Sequence, residues 1–136
     1  MSTPATPIIL AIDDSPPILK QISVALSDGS CYDLRMAKDP DAAFTILKRL
    51  SAEGKTVNLI ICDILMPNMD GMTFRQEILK NPVTAKVPFI FITSHSNPGV
   101  ISQALEVGCI DFVVKPFQNE SLRQRVKAAL RNGGLN

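Results

Sequence analysis

The feature that most constrains this chain is a fivefold alternation of short apolar runs with longer stretches of helical spacing. The short runs are Ile8–Ile12, Leu34–Ala37 (or from Tyr32), Leu59–Cys62, Pro88–Ile92 and Phe112–Val114. They are rich in Ile, Val and Phe, and mostly continuous rather than alternating. That pattern suits strands buried on both faces of a parallel sheet.

Each run is followed by an apolar stripe at helical spacing. The first is Ile18, Ile22, Ala25 and Leu26, behind Asp14-Ser15-Pro16, where a capping residue precedes a helix-starting proline. The second is Ala42, Ala43, Ile46, Leu47 and Leu50, behind Asp39-Pro40. The third is Met72, Phe74, Ile78 and Leu79, ending before Asn81-Pro82. The fourth is Val100, Ile101, Ala104, Leu105 and Val107, closed by Gly108. The fifth is Leu122, Val126, Ala129 and Leu130, with Arg123, Arg125, Lys127 and Arg131 on a face expected to be solvated or to meet an acidic partner. Repeated strand-then-helix units with right-handed crossovers predict a doubly wound α/β fold. Periodicity does not fix the strand order; the order expected is the flavodoxin-like 2-1-3-4-5, with helices on both faces. The domain is expected over residues 8–131, with a flexible segment at 1–7 and a tail or linker stump at 132–136.

Composition narrows the function classes. Fourteen Lys and Arg against thirteen Asp and Glu leave a net charge of +1, so the broad cationic surface of a non-specific nucleic-acid binder is missing. Cys31, Cys62 and Cys109 are odd in number and lack CxxC spacing, which argues against a disulfide framework or a zinc site and fits a reducing cytoplasm. No apolar run approaches the roughly 20 residues of a membrane span, and Met1–Pro7 lacks the basic start of a signal peptide.

In a parallel sheet the carboxyl ends of all strands lie on one edge. Here those ends carry Asp13-Asp14, Asp63, Thr93-Ser94 and Lys115-Pro116. Clustered carboxylates repel one another unless a cation sits among them, and an oxygen-only set suits Mg²⁺ or Mn²⁺. A carboxylate can attack phosphorus to form an acyl phosphate, with the cation, an ammonium and a hydroxyl taking the phosphoryl oxygens. Taken singly, each residue has an ordinary reading: Asp14 as a cap, Asp63 as a loop acid before the Pro67–Gly71 turn, Thr93 as a helix cap, Lys115 as a solvated charge. Taken together at successive strand ends, they share only the phosphoryl reading.

These residues resemble the receiver domains of two-component response regulators. The matching motifs are Ile12-Asp13-Asp14-Ser15, Asp63-Ile64-Leu65-Met66-Pro67-Asn68-Met69-Asp70-Gly71, Ile92-Thr93-Ser94 and Phe112-Val113-Val114-Lys115-Pro116-Phe117, in order along almost the whole chain. The resemblance implies that Asp63 accepts a phosphoryl group from the phosphohistidine of a sensor histidine kinase or phosphotransfer protein. It implies Mg²⁺ held by Asp13, Asp14, Asp63 and the backbone carbonyl of Leu65. Thr93 and Lys115 would bind the phosphoryl oxygens, with Ser94 small enough to leave room. Phe112 stands at the switch aromatic, whose plain alternative is core packing, and Lys115-Pro116 at a cis peptide. Switching would then reshape the surface of the fourth helix, fifth strand and fifth helix for a downstream protein, an output domain or a second copy of the chain.

Leu65 and His95 would flank the water that hydrolyses the acyl phosphate and so set its lifetime. Cys62 is expected to point away from the acceptor as a small apolar core residue. A Mg²⁺-dependent aspartyl-phosphate phosphatase or phosphotransferase is the enzyme alternative. Its dehalogenase-like form places a D-x-D pair after the first strand, whereas Asp13 and Asp14 are adjacent and the acceptor follows the third. An unphosphorylated scaffold would have lost an acidic or Lys position, and none is lost.

Overall fold

The structure is a computed structural model that describes residues 6–27, 29, 31–66, 69–94 and 97–133. Its elements are β1 (Ile8–Ile12), α1 (Pro16–Ala25), β2 (Asp33–Ala37), α2 (Pro40–Ala52), β3 (Leu59–Asp63), α3 (Gly71–Leu79), a 3₁₀ turn at Thr84–Lys86, β4 (Phe89–Thr93), α4 (Pro98–Glu106), β5 (Asp111–Val114) and α5 (Asn119–Gly133). The strands form one sheet in the order β2-β1-β3-β4-β5, every pair parallel. This is the doubly wound arrangement that the alternation predicts, in the expected flavodoxin-like order that periodicity alone does not fix. Strand limits differ from the sequence reading by a residue: β4 takes Thr93 and leaves Pro88 outside, which suits a residue with no N–H to give a ladder.

The three central strands are buried along their whole length, as continuous apolar runs require, while the edge strands β2 and β5 are only partly covered. Alternation sorts the central side chains into two cores. Ile9, Ala11, Leu59, Ile61, Ile90 and Ile92 meet Ile22 and Ala25 of α1 and Leu122 and Val126 of α5. Leu10, Ile12, Ile60, Cys62, Phe89 and Phe91 meet Ala43 and Leu50 of α2, Phe74 and Ile78 of α3 and Ala104 of α4. Cys62 therefore does point into the core opposite α1, as expected.

The caps are local and specific. Asp39 accepts from Ala42 N (2.7 Å), Asp70 from Thr73 N (2.8 Å) and Asn97 from Val100 N (2.9 Å). Asn97, not Thr93, thus caps α4. Ser15 stands at the α1 cap position without a side-chain cap bond; its own N–H instead donates to Asp13 Oδ1 at 2.9 Å. α5 continues to Gly133, into the segment expected as a tail, and residues 1–5 and 134–136 lie outside the described residues.

The face of α5 expected to be solvated is partly engaged. Arg125 pairs with Asp111 of β5. Arg123 pairs with Glu120 and donates to Ala25 O at the end of α1 (3.2 Å). Among the described residues no helix is long and apolar enough to cross a membrane.

Candidate functional site

Parallel strands deliver their carboxyl ends to one edge, and there the charged residues gather. Asp13 directly follows β1 and is fully buried; Asp63 ends β3 and is 5% exposed; Thr93 ends β4 and is fully buried. One carboxylate oxygen each from Asp13, Asp14 and Asp63 lies within 4.8 Å of the other two, with Asp14 exposed on the outer side. Lys115, one residue past β5, places its ammonium 2.8 Å from Asp13 Oδ2 and 3.2 Å from Asp63 Oδ2. The contact with Asp13 is ionic rather than well directed, and Asp13 Oδ2 takes no hydrogen bond of good geometry among the described residues. Asp63 Oδ1 accepts weakly from Leu65 N at 3.4 Å.

The electrostatics follow from this crowding. Burial raises the Asp63 carboxyl above its ordinary range, the Asp13 charge adds to the rise, and Lys115 only partly offsets it. For Lys115 burial works against the charged form, yet Asp13 and Asp63 outweigh it and the ammonium is held above its ordinary value. Burial pushes the Cys62 thiol well up, with the Asp63 charge adding to it, so Cys62 is an inert thiol that donates to Asp63 O at 3.2 Å. Three carboxylates, all hard oxygen donors, against one ammonium suit a small divalent cation such as Mg²⁺.

Thr93 belongs to the β4 side-chain series of Phe89 and Phe91, and Phe112 sits beside Phe91 in the β4–β5 register. Phe112 is half-buried and packs against the core shared with α4. It thus lies on the α4 side of the sheet, near the strand end but not among the charges. Ser94 is exposed immediately after Thr93, Leu65 is half exposed two residues past Asp63, and the Lys115-Pro116 peptide is cis. His95, with Pro67 and Asn68 of the long motif, lies outside the described residues.

Two residues gain a meaning that the sequence pattern did not supply. A Cβ on Gly71 would stand 2.3 Å from Asp63 O and 3.0 Å from Ile64 Cα, so only glycine lets α3 start this close to the Asp63 loop. Its N–H donates to Ile64 O at 2.7 Å. The signal was present as Asp70-Gly71 at a turn, but the reason is an approach between backbones that no spacing reveals. The other is Gln21, a polar residue beside the α1 stripe whose partners lie across the fold.

The family model described as the response regulator receiver domain matches residues 9–127. The chain is 34% identical over 124 residues to a probable cyclic di-GMP phosphodiesterase of Vibrio cholerae, an alignment covering 91% of this chain and 26% of that protein. It is 30% identical over 126 residues to the phosphate regulon transcriptional regulatory protein PhoB of Pseudomonas aeruginosa, covering 93% of this chain and 52% of that one. Among solved structures, the chemotaxis protein CheY4 of Vibrio cholerae matches with a TM-score of 0.80 at 27% identity, covering 92% of this chain and 99% of that one. The chain therefore spans between a quarter and about half the length of these curated relatives, and nearly all of the solved one.

Proposed function

Because the chain belongs to the response regulator receiver domain family, whose general function is phosphorylation-dependent signalling, we propose that Asp63 is its phosphoryl acceptor. The observation that carries this reading is the meeting of three carboxylates within 4.8 Å with the Lys115 ammonium on two of them. Asp63 is the acid that ends a central strand, and its Oδ1 is held by only a long 3.4 Å bond from Leu65 N.

In the proposed reaction an Asp63 oxygen attacks the phosphorus of a phosphohistidine on a sensor kinase or phosphotransfer protein. The P–O bond forms as the P–N bond breaks, and the imidazole leaves. Asp13, Asp14, Asp63 and the Leu65 carbonyl would hold Mg²⁺, which neutralises charge on the transferring group when bound. Lys115 then exchanges one carboxylate contact for a phosphoryl oxygen, and Thr93, with Ser94 beside it, supplies hydroxyl contact to another. The arriving group adds about −1.5 to −2 charge. Thr93 and Phe112 share the α4 side of neighbouring strands, so a shift of the β4–α4 loop opens space for the Phe112 ring and alters the α4–β5–α5 surface.

A downstream protein, an output domain or a second copy would read that surface. Leu65 and His95 would govern how fast water removes the phosphoryl group. On this reading the domain, over residues 8–131, works in the cytoplasm and has no activity beyond its own transfer and dephosphorylation.

The test is incubation with acetyl phosphate and Mg²⁺, read by intact mass on wild type and Asp63→Asn. A single phosphate-sized gain that needs Mg²⁺ and vanishes in the variant is the expected result. No gain in wild type under saturating donor overturns the reading, and a gain that survives Asp63→Asn assigns the acceptor to another carboxylate.

A further inference from the structure

Helix α1 reaches the charged edge from both sides. At its start it fixes the acidic loop, where Ser15 N donates to Asp13 Oδ1 at 2.9 Å. About two turns on, Gln21 reaches out of the same helix toward the loop that carries Lys115. Its Nε2 donates to Phe117 O at 2.9 Å and to Asn119 Oδ1 at 3.1 Å, partners 96 and 98 positions away in the chain. The same loop is pinned at its other end by Lys115 N donating to Thr93 O at 2.8 Å. Between these anchors the Phe117 ring is buried in the core that contains Ile22.

Gln21 sits half-buried beside the apolar stripe of Ile18, Ile22 and Ala25, where an apolar residue would add burial. A side chain there that spans to a carbonyl and an amide oxygen of another element serves the loop rather than the helix. Lysine is a flexible four-carbon stem whose ammonium meets two carboxylates at once only if its backbone is held. The geometry points to Gln21 as a positioning residue for Lys115: it ties the Lys115 loop to the helix that follows Asp13 and Asp14, so the three charges keep their spacing. This rests on the reading of Asp63 as the phosphoryl acceptor.

The test compares wild type, Gln21→Met, Gln21→Lys and Asp63→Asn by amide hydrogen exchange and by the rate of phosphate incorporation from acetyl phosphate with Mg²⁺. Gln21→Met keeps the bulk but has no donor; Gln21→Lys can donate to the same two oxygens. Gln21→Met is expected to speed exchange of the Lys115 amide about tenfold while Ile22 and Ala25 stay protected. It should also slow incorporation about tenfold. Gln21→Lys should restore both to within about threefold of wild type, which a merely space-filling role would not allow.

Should Gln21→Met also expose Ile22 and Ala25, Asn119→Ala removes one acceptor and leaves α1 intact. It is expected to speed Lys115 exchange about threefold. Wild-type exchange at Lys115 in Gln21→Met and Asn119→Ala overturns the inference. So does faster exchange without slower incorporation, or a Gln21→Lys as slow as Gln21→Met. If wild type takes up no phosphate, the acceptor reading fails alone, and exchange at Lys115 still decides the part played by Gln21.

Discussion

Two buried ionic sites in this molecule solve the same problem in opposite ways. On α3, Arg75 is 5% exposed, and burial lowers its affinity for a proton. It is nevertheless accommodated by neutral groups: Nε donates to Val107 O at 3.0 Å, Nη2 to Gly108 O at 3.2 Å, and the guanidinium lies 5.0 Å from the centre of the Phe89 ring. The carbonyls belong to the carboxyl end of α4, where the helix dipole already favours a cation. At the strand edge, by contrast, three carboxylates meet Lys115 as the cation in contact among the described residues. The Arg75 side chain holds α4 to α3 through two neutral oxygens, and its Nη1 is buried with no hydrogen-bond partner among the described residues. The carboxylate site is short of positive charge, which on the proposed reading an arriving cation supplies. What sets the strand edge apart is an excess of like charge, not burial alone.

The comparison predicts opposite signs for mutation. Removing Arg75 leaves two carbonyls unpaired and a void beside Phe89, so Arg75→Met is expected to cost about 2–4 kcal/mol in urea unfolding. Its Mg²⁺ affinity should be that of wild type; loss of binding in a folded Arg75→Met would break the division between the sites. Gly71→Ala forces α3 away from the Asp63 loop and should cost about 1–3 kcal/mol, with slower phosphate incorporation as the accompanying signature. Asp63→Asn goes the other way. In chelator it should stabilise the fold by about 1 kcal/mol, because a neutral amide relieves the repulsion from Asp13.

That gain depends on pH in a definite direction. The folded protein raises the Asp63 carboxyl above its unfolded value, so the folded state binds the extra proton. The stability this group contributes is fully present below the unfolded value and is lost as pH rises through the folded one. The advantage of Asp63→Asn in metal-free thermal unfolding should therefore be largest at neutral pH and shrink as the solution is acidified through the carboxylate range. A constant difference would mean that Asp63 is not destabilised by its surroundings.

Much of this was legible from the chain. Continuous runs such as Leu59–Cys62 identify central strands because a strand covered on both faces has no polar side, and strand ends place Asp13, Asp63, Thr93 and Lys115 on one edge. Strand limits were legible to about a residue in edge and central strands alike: β2 begins at Asp33 and β5 at Asp111, where partial exposure admits polar residues, and β4 runs from Phe89 to Thr93. Gly71, Gln21 and Arg75 escaped because each meets a backbone oxygen distant in the fold or chain, and a backbone oxygen leaves no trace in residue identity. The engagement of Arg123 and Arg125 escaped for a related reason: a helix face reads as solvated until the neighbouring element is placed against it.

That the strand-end carboxylates hold a cation is tested most directly by Mg²⁺ titration calorimetry on wild type and Asp14→Asn. Asp14 is exposed, so its substitution changes the donor set without opening the core. Wild type is expected to bind a single Mg²⁺ saturably, with binding weakened at least about tenfold in Asp14→Asn. No binding by wild type, or equal binding by both, would contradict it.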